Sequence, residues 1–264
     1  MKKIALDCLP EGKQKAVTMS FDDGKTADVR LAKLFRERGV KATFHYNSGN
    51  IGRETYVTEE QVREIGRYHE ISVHSCTHPF LDRLPLPAAV SEVMEDRRQL
   101  EKLADKPVRG MSYPYGTYSE ALVNALRACG IEYARTIQNT GEFDVPEDLM
   151  KWHPTCHQSH DLDGLYQRFL NKKKHIRIFY VWGHSYEFDR DQSWERMEAF
   201  CDRIAGDPRI WYATNLELAD YITAMRSLKF SVDCSYVYNP SAADVWILVD
   251  DVPVKVPAGA QMQV

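Results

Sequence analysis

The sequence predicts an α/β fold, a (β/α) barrel of parallel strands followed by a small antiparallel β extension. Two patterns predict it. Short apolar, β-branched or aromatic runs alternate with amphipathic segments along most of the 264 residues, and eight such runs at this spacing suit a barrel better than an open sheet. After about Met225 the hydrophobic period changes to two, the signature of half-buried antiparallel strands.

The candidate strands cover residues 16–21, 42–46, 71–75, 110–115, 133–137, 150–155, 176–183 and 210–214. Helical periodicity fills the intervals. Residues 26–38 put Leu31, Leu34 and Phe35 on one face and stop at Gly39, and residues 58–68 open on Thr58 with Glu60 and Gln61 in the first turn. Further helices are expected over 87–104, over 119–129 before Gly130, and over 164–171, 193–204 and 216–225. The period-two strands run 228–232, 235–238, 244–249 and 252–256, separated by Asn239-Pro240-Ser241 and Asp250-Asp251. The expected division is a barrel over residues 1–225 and a β extension over 226–264.

Composition is ordinary for a globular protein, with 44% hydrophobic and 27% charged residues, and the length allows a substantial core without staples. The net charge is -4 and the basic residues are scattered, which excludes nucleic acid and acidic membrane surfaces as partners and favours a small or neutral one. Six cysteines without a C-x-x-C pair read as reduced thiols. At the N-terminus Asp7 and Pro10 interrupt the chain before any apolar signal region develops, and no apolar run reaches membrane-spanning length. A cytoplasmic protein is expected.

The polar residues with chemical potential cluster just after the strands, where barrels build their sites. Asp22-Asp23-Gly24 is by itself a common strand-to-helix turn. The pair also permits a division of labour, because neighbours at a strand end point in opposite pleat directions: one carboxylate faces a metal and the other a substrate water. His74 and His78, four apart, can reach one ion with a carboxylate completing the set. Either signal alone is weak; together they supply the ligands of a mononuclear centre for hydrolytic chemistry.

With these residues in view, the stretch from about Ala16 to Tyr221 resembles the polysaccharide deacetylases, carbohydrate esterase family four. The family's T-F-D-D-G is Ser20-Phe21-Asp22-Asp23-Gly24 here, its H-S/T-x-x-H is His74-Ser75-Cys76-Thr77-His78, and Lys41-Ala42-Thr43-Phe44 matches its second strand. The resemblance implies a distorted barrel of seven or eight strands, Asp22 as general base, and Asp23, His74 and His78 as ligands of one divalent metal, zinc before cobalt, nickel or iron. The third motif, R-x-P-Y-G, is partial: Pro114-Tyr115-Gly116 fit, but Ser112 stands at the arginine position. Arg135, at the end of the next strand, is the candidate replacement for the residue that orients the base, beside the equally ordinary reading of a structural arginine. By the same resemblance the Tyr115 backbone N–H serves the oxyanion, Pro114 and Tyr115 border the substrate, and His184, after the strand ending Val181-Trp182-Gly183, is the general acid. Trp182 is a candidate groove wall, although a core tryptophan is the commoner outcome.

The segment Trp152 to His160 departs from the family's fourth motif. Cys156, His157 and His160 match no standard zinc spacing, so a second metal on that set is not expected; Trp152 or His157 is expected to border the site. The reaction implied is removal of an acetyl group from an N-acetylated, less readily an O-acetylated, sugar. A small non-sugar amide in a closed pocket, capped by the 152–160 loop or by the extension, is a second reading. An inactive carbohydrate-binding domain is a third, opposed by the full set of ligands.

Overall fold

A computed structural model describes residues 2–264. Among the described residues there are fourteen strands and eight α-helices, which alternate along most of the chain up to α8. The strands are β1 (Ile4–Ala5), β2 (Lys15–Asp22), β3 (Ala42–Tyr46), β4 (Glu70–Val73), β5 (Gly110–Ser112), β6 (Tyr133–Arg135), β7 (Cys156–His157), β8 (Arg177–Gly183), β9 (Ile210–Tyr212), β10 (Lys229–Phe230), β11 (Tyr236–Tyr238), β12 (Val245–Val249), β13 (Val252–Val256) and β14 (Gln261–Gln263). The helices are α1 (Ala27–Glu37), α2 (Glu59–Gly66), α3 (Leu86–Ala104), α4 (Glu120–Ala128), α5 (Leu162–Asn171), α6 (Tyr186–Arg190), α7 (Trp194–Ile204) and α8 (Asn215–Ser227).

β2 to β9 form one parallel sheet in the order β6-β5-β4-β3-β2-β8-β7. β9 lies beside the first residues of β2, from Lys15 to Val17, where β3 has not yet begun; β3 joins only at Met19. The sheet curls, and the chain between β6 and β7 bonds to β6 at one edge and to β8 next to the other. The Trp152 N–H donates to Ala134 O on β6 at 2.9 Å, and the Thr155 N–H donates to Tyr180 O on β8, also at 2.9 Å.

Alternation in β2 separates two interiors. Val17, Met19 and Phe21 pack under the helices with Leu31 and Phe35, whereas Ala16, Thr18, Ser20 and Asp22 point into the barrel. That inner space is polar and hydrogen-bonded. Thr18 Oγ1 donates to Asn215 Oδ1 at 2.8 Å, and Glu70 accepts from Tyr133 OH at 2.6 Å, Thr43 Oγ1 at 2.8 Å and the Leu216 N–H at 2.9 Å. Burial raises the Glu70 carboxyl to about 7 despite these donors. Gly110 is required in this wall, because a Cβ there would meet the Tyr133 ring at 2.0 Å.

Two local expectations are corrected, and one short helix was not foreseen. Residues 150–155 are not a strand: the Asp148 side chain accepts from the Met150 N–H at 2.9 Å and starts a 3-10 turn, Leu149–Lys151. Pro154 then offers no N–H, so pairing resumes only at β7. α5 begins at Leu162 and not at residue 164, because Asp161 caps the Gly164 N–H at 2.9 Å. The five-residue α6 lacked enough turns for a periodic signal.

The period-two region folds as expected into antiparallel strands, in two three-stranded sheets, but β1 from the other end of the chain pairs with β12 (Ile4 opposite Val249). These strands pack on α8 and on the Pro10–Gly12 turn that precedes β2. They therefore lie at the start of β2, a strand length of roughly 25 Å from Asp22. No described helix is long and apolar enough to cross a membrane, and the six cysteines are unpaired.

Candidate active site

Asp22 ends β2 and Asp23 follows in the left-handed region, at φ 79°. The turn aims the two carboxylates apart. Asp22 is buried and accepts from Arg135 Nη2 and from Ser112 Oγ, the latter at 3.1 Å. Burial by itself would raise its carboxyl; the Arg135 guanidinium, then His74, His45 and His184, overcome that and hold it well below the usual carboxylate range. It is an ionised carboxylate held in place. Arg135, fully buried at the end of β6, also donates through Nε to Ser20 Oγ at 3.1 Å and through Nη1 to Thr136 O at 3.0 Å. Its guanidinium lies 4.6 Å from the Trp182 ring centre.

Asp23, His74 and His78 converge beside it. Asp23 Oδ1 lies 3.6 Å from both His74 Nε2 and His78 Nε2, and those nitrogens are 3.1 Å apart. His74 Nδ1 is 2.9 Å from Ser112 O, a contact that fixes its proton there and leaves Nε2 as a lone pair. Two nitrogens and a carboxylate oxygen this close, directed at one point, fit a divalent cation of zinc type. The supports are built in: Asp96 on α3 accepts the His74 N–H at 2.9 Å and the Ser48 N–H at 2.6 Å, and Ser75 Oγ accepts the His78 N–H at 3.1 Å. Asp23, Ser75, His78 and Tyr115 all have positive φ, so backbone strain of order 1–3 kcal/mol per residue is concentrated around this point.

His184 approaches from the end of β8, its Nε2 4.0 Å from Asp23 Oδ2 and its Nδ1 3.6 Å from Glu187 Oε1. Burial disfavours its protonation, but Glu187, Asp22 and Asp23 together raise it above the ordinary histidine value. Glu187 itself is held low: burial opposes this, and His157, whose Nε2 is 3.1 Å away, and His184 prevail.

Of the residues singled out from sequence, Asp22, Asp23, His74, His78, His184 and Arg135 come together. Tyr115 has its ring stacked on Phe80 at 3.7 Å and 4.5 Å from His78, with 46% of its surface exposed, while Pro114 is buried beneath the turn. Gly116 at φ 70° closes that turn, where a Cβ would strike Ile137 at 2.3 Å. Trp182 is 8% exposed between Arg135 and His157, its Nε1 donating to Asn139 at 2.7 Å; it is a floor more than a groove wall. His157 borders the site through Glu187. Trp152 does not: its ring packs edge-on to Tyr133 and Tyr180 inside the barrel, below the site.

Sequence reasoning missed Glu187, Ser112 as a bridge between Asp22 and His74, and Asp96. Asp96 left a signal, since it interrupts the otherwise apolar buried face Ala89, Val93, Leu100, Leu103 of α3. Glu187, three residues after His184, left only an H-x-x-E spacing.

Comparison with known proteins bears on this arrangement. The family model described as polysaccharide deacetylase matches residues 10–134. A Bacillus subtilis protein named as a polysaccharide deacetylase, YxkH, is 29% identical over 128 residues, which are 47% of this chain and 46% of that protein. The B. subtilis peptidoglycan-N-acetylmuramic acid deacetylase PdaC is 26% identical over 117 residues, 43% of this chain and 24% of its own length. The chain thus spans less than half the length of these curated relatives. A solved Mycobacterium smegmatis structure described as a polysaccharide deacetylase superposes with a TM-score of 0.65 at 18% identity, covering 86% of this chain and 96% of that one, so the fold is shared. Over residues 10–134, the segment that carries Asp22, Asp23, His74 and His78, the chain matches the polysaccharide deacetylase family model.

Proposed function

We propose that this protein is a metal-dependent deacetylase that hydrolyses the N-acetyl amide of a sugar or oligosaccharide. The observation that carries the reading is the juxtaposition of an ionised, clamped Asp22 with the Asp23–His74–His78 trio at a partly exposed barrel mouth. A divalent metal, zinc in our reading, bound by Asp23, His74 and His78 would supply Lewis-acid polarisation of the acetyl carbonyl.

The chain's own groups then divide the work. Asp22, fixed by Arg135 and Ser112, removes a proton from the attacking water, whose oxygen bonds to the acetyl carbon. The Tyr115 N–H, presented by a backbone at φ 59°, donates to the developing oxyanion. His184 gives its Nε2 proton to the amide nitrogen as the C–N bond breaks, leaving acetate and a free amino sugar. Glu187 faces the ring at Nδ1, 3.6 Å away.

A sugar is favoured over a small amide because neither the C-terminal strands nor Trp152 covers the mouth. The C-terminal strands lie at the far end of the barrel, and Trp152 is inside its wall. Relatives named for deacetylating polysaccharide and peptidoglycan support the same substrate class. The test is acetate release from a panel of N-acetylated oligosaccharides, O-acetylated sugars and small amides. Wild type should act on the first group, and Asp22→Asn and His184→Ala should each lose about 100-fold or more in kcat. Equal rates in wild type and both variants would refute the mechanism.

A further inference from the structure

We propose that His157, His184 and Glu187 form a second, inhibitory site for a zinc-type cation, separate from the Asp23–His74–His78 trio. One ligand atom from each residue lies within 4.8 Å of the other two. His157 Nε2 is 3.1 Å from Glu187 Oε2 and His184 Nδ1 is 3.6 Å from Glu187 Oε1, separations a tetrahedral zinc accepts with small side-chain movement. One further feature points to a ligand. His184 Nδ1 is a buried atom with no hydrogen-bond partner among the described residues, and it faces this cluster. His157 Nδ1 accepts the Ser159 N–H at 3.2 Å and lies 2.8 Å from Ser159 Oγ, which puts the ring proton on Nε2 toward Glu187; a cation would displace that proton. Gln158 Nε2 donates to Glu187 Oε2 at 2.8 Å and steadies the carboxylate, while Arg190, 3.5 Å from Oε1, is engaged by Asp191 through two hydrogen bonds.

The consequence rests on the reading of His184 as proton donor. That role needs a hydrogen on each ring nitrogen, one to give to the leaving amine and one facing Glu187. A cation on Nδ1 takes the place of the second hydrogen. Filling this site and donating the proton exclude one another, so zinc in excess of the first equivalent should switch the enzyme off.

The test is zinc stoichiometry by equilibrium dialysis with elemental analysis, alongside activity across free zinc. Wild type should bind a second equivalent, with activity falling as it binds. His157→Ala and Glu187→Gln should each weaken that second equivalent by at least about 10-fold and leave the first intact. In His157→Ala the residual activity should no longer fall at high zinc. His160→Ala and Cys129→Ser, which alter other exposed donors, should retain the second equivalent. Saturation at one equivalent, or an unaltered second equivalent in His157→Ala and Glu187→Gln, overturns the proposal whether or not the protein deacetylates sugars. Two equivalents without any fall in activity overturns the inhibition.

Discussion

Arg135 Nη2 donates to Asp22 Oδ2 across a sequence gap of 113 residues, joining the end of β6 to the end of β2 inside the barrel. Ser112, on the strand between β4 and β6, fills the space beside this pair and bonds the same carboxylate. Arg135→Met leaves a buried carboxylate without its partner, which costs about 3–5 kcal/mol. Arg135→Lys keeps the charge but loses the planar fork that reaches Ser20, Thr136 and Asp22 together. Denaturant melts should rank wild type above Lys above Met. Acetate release should follow the same order while the first zinc equivalent is retained. A fully active Arg135→Lys enzyme would show that the fork is dispensable.

Ser112→Ala removes one hydroxyl from both Asp22 and His74 and leaves the His74 contact with the Ser112 carbonyl. The expected loss is about 1 kcal/mol of stability and roughly 10-fold in zinc affinity. Competition with a chromogenic chelator measures the second quantity.

The pH profile of kcat should report His184. Its protonation is favoured above the ordinary histidine value, so the acid is in its donating form at low pH and activity falls as pH rises through that raised value. Glu187→Gln removes a partner that raises it, and the alkaline limb should move to lower pH. An unmoved limb would assign it to another group.

Glu70 gives the fold a pH dependence of its own. Its folded value of about 7 lies above the ordinary glutamate value of 4.5, so its contribution is fully present below 4.5 and is lost as pH rises through about 7. The loss for this buried group is of order 3 kcal/mol. Urea titrations from pH 4.5 to 8 should show wild type weakening, and Glu70→Gln should flatten that slope.

Gly110→Ala places a methyl group into the Tyr133 ring. Overpacking of this kind costs about 1–3 kcal/mol, and the shift of Tyr133 would also break its bond to Glu70. Thermal melts that showed no change would mean the wall between β5 and β6 yields easily.

The sequence by itself determined the alternation of strands and helices, the antiparallel ending and the chemistry available at Asp22, Asp23, His74, His78 and His184. These signals are local: periodicity lies within a segment, and the four-residue histidine spacing is set within one loop. Arg135 could be proposed as the partner of Asp22 from its place at a strand end, but its bonds to Ser20 and Thr136 and its contact with the Trp182 ring could not, because they depend on how far the sheet curls. Trp152 shows the converse. Its neighbourhood in sequence suggested the site, yet Asp148 and Pro154 end the local strand and turn the ring into the barrel core. Only the tertiary structure brought Glu187 and His157 to His184, set Asp96 behind His74, and carried the C-terminal strands to the far end of the barrel beside β1. Each of those outcomes is a contact between distant segments, decided by packing and by the need to pair buried polar groups, which no short window of residues encodes.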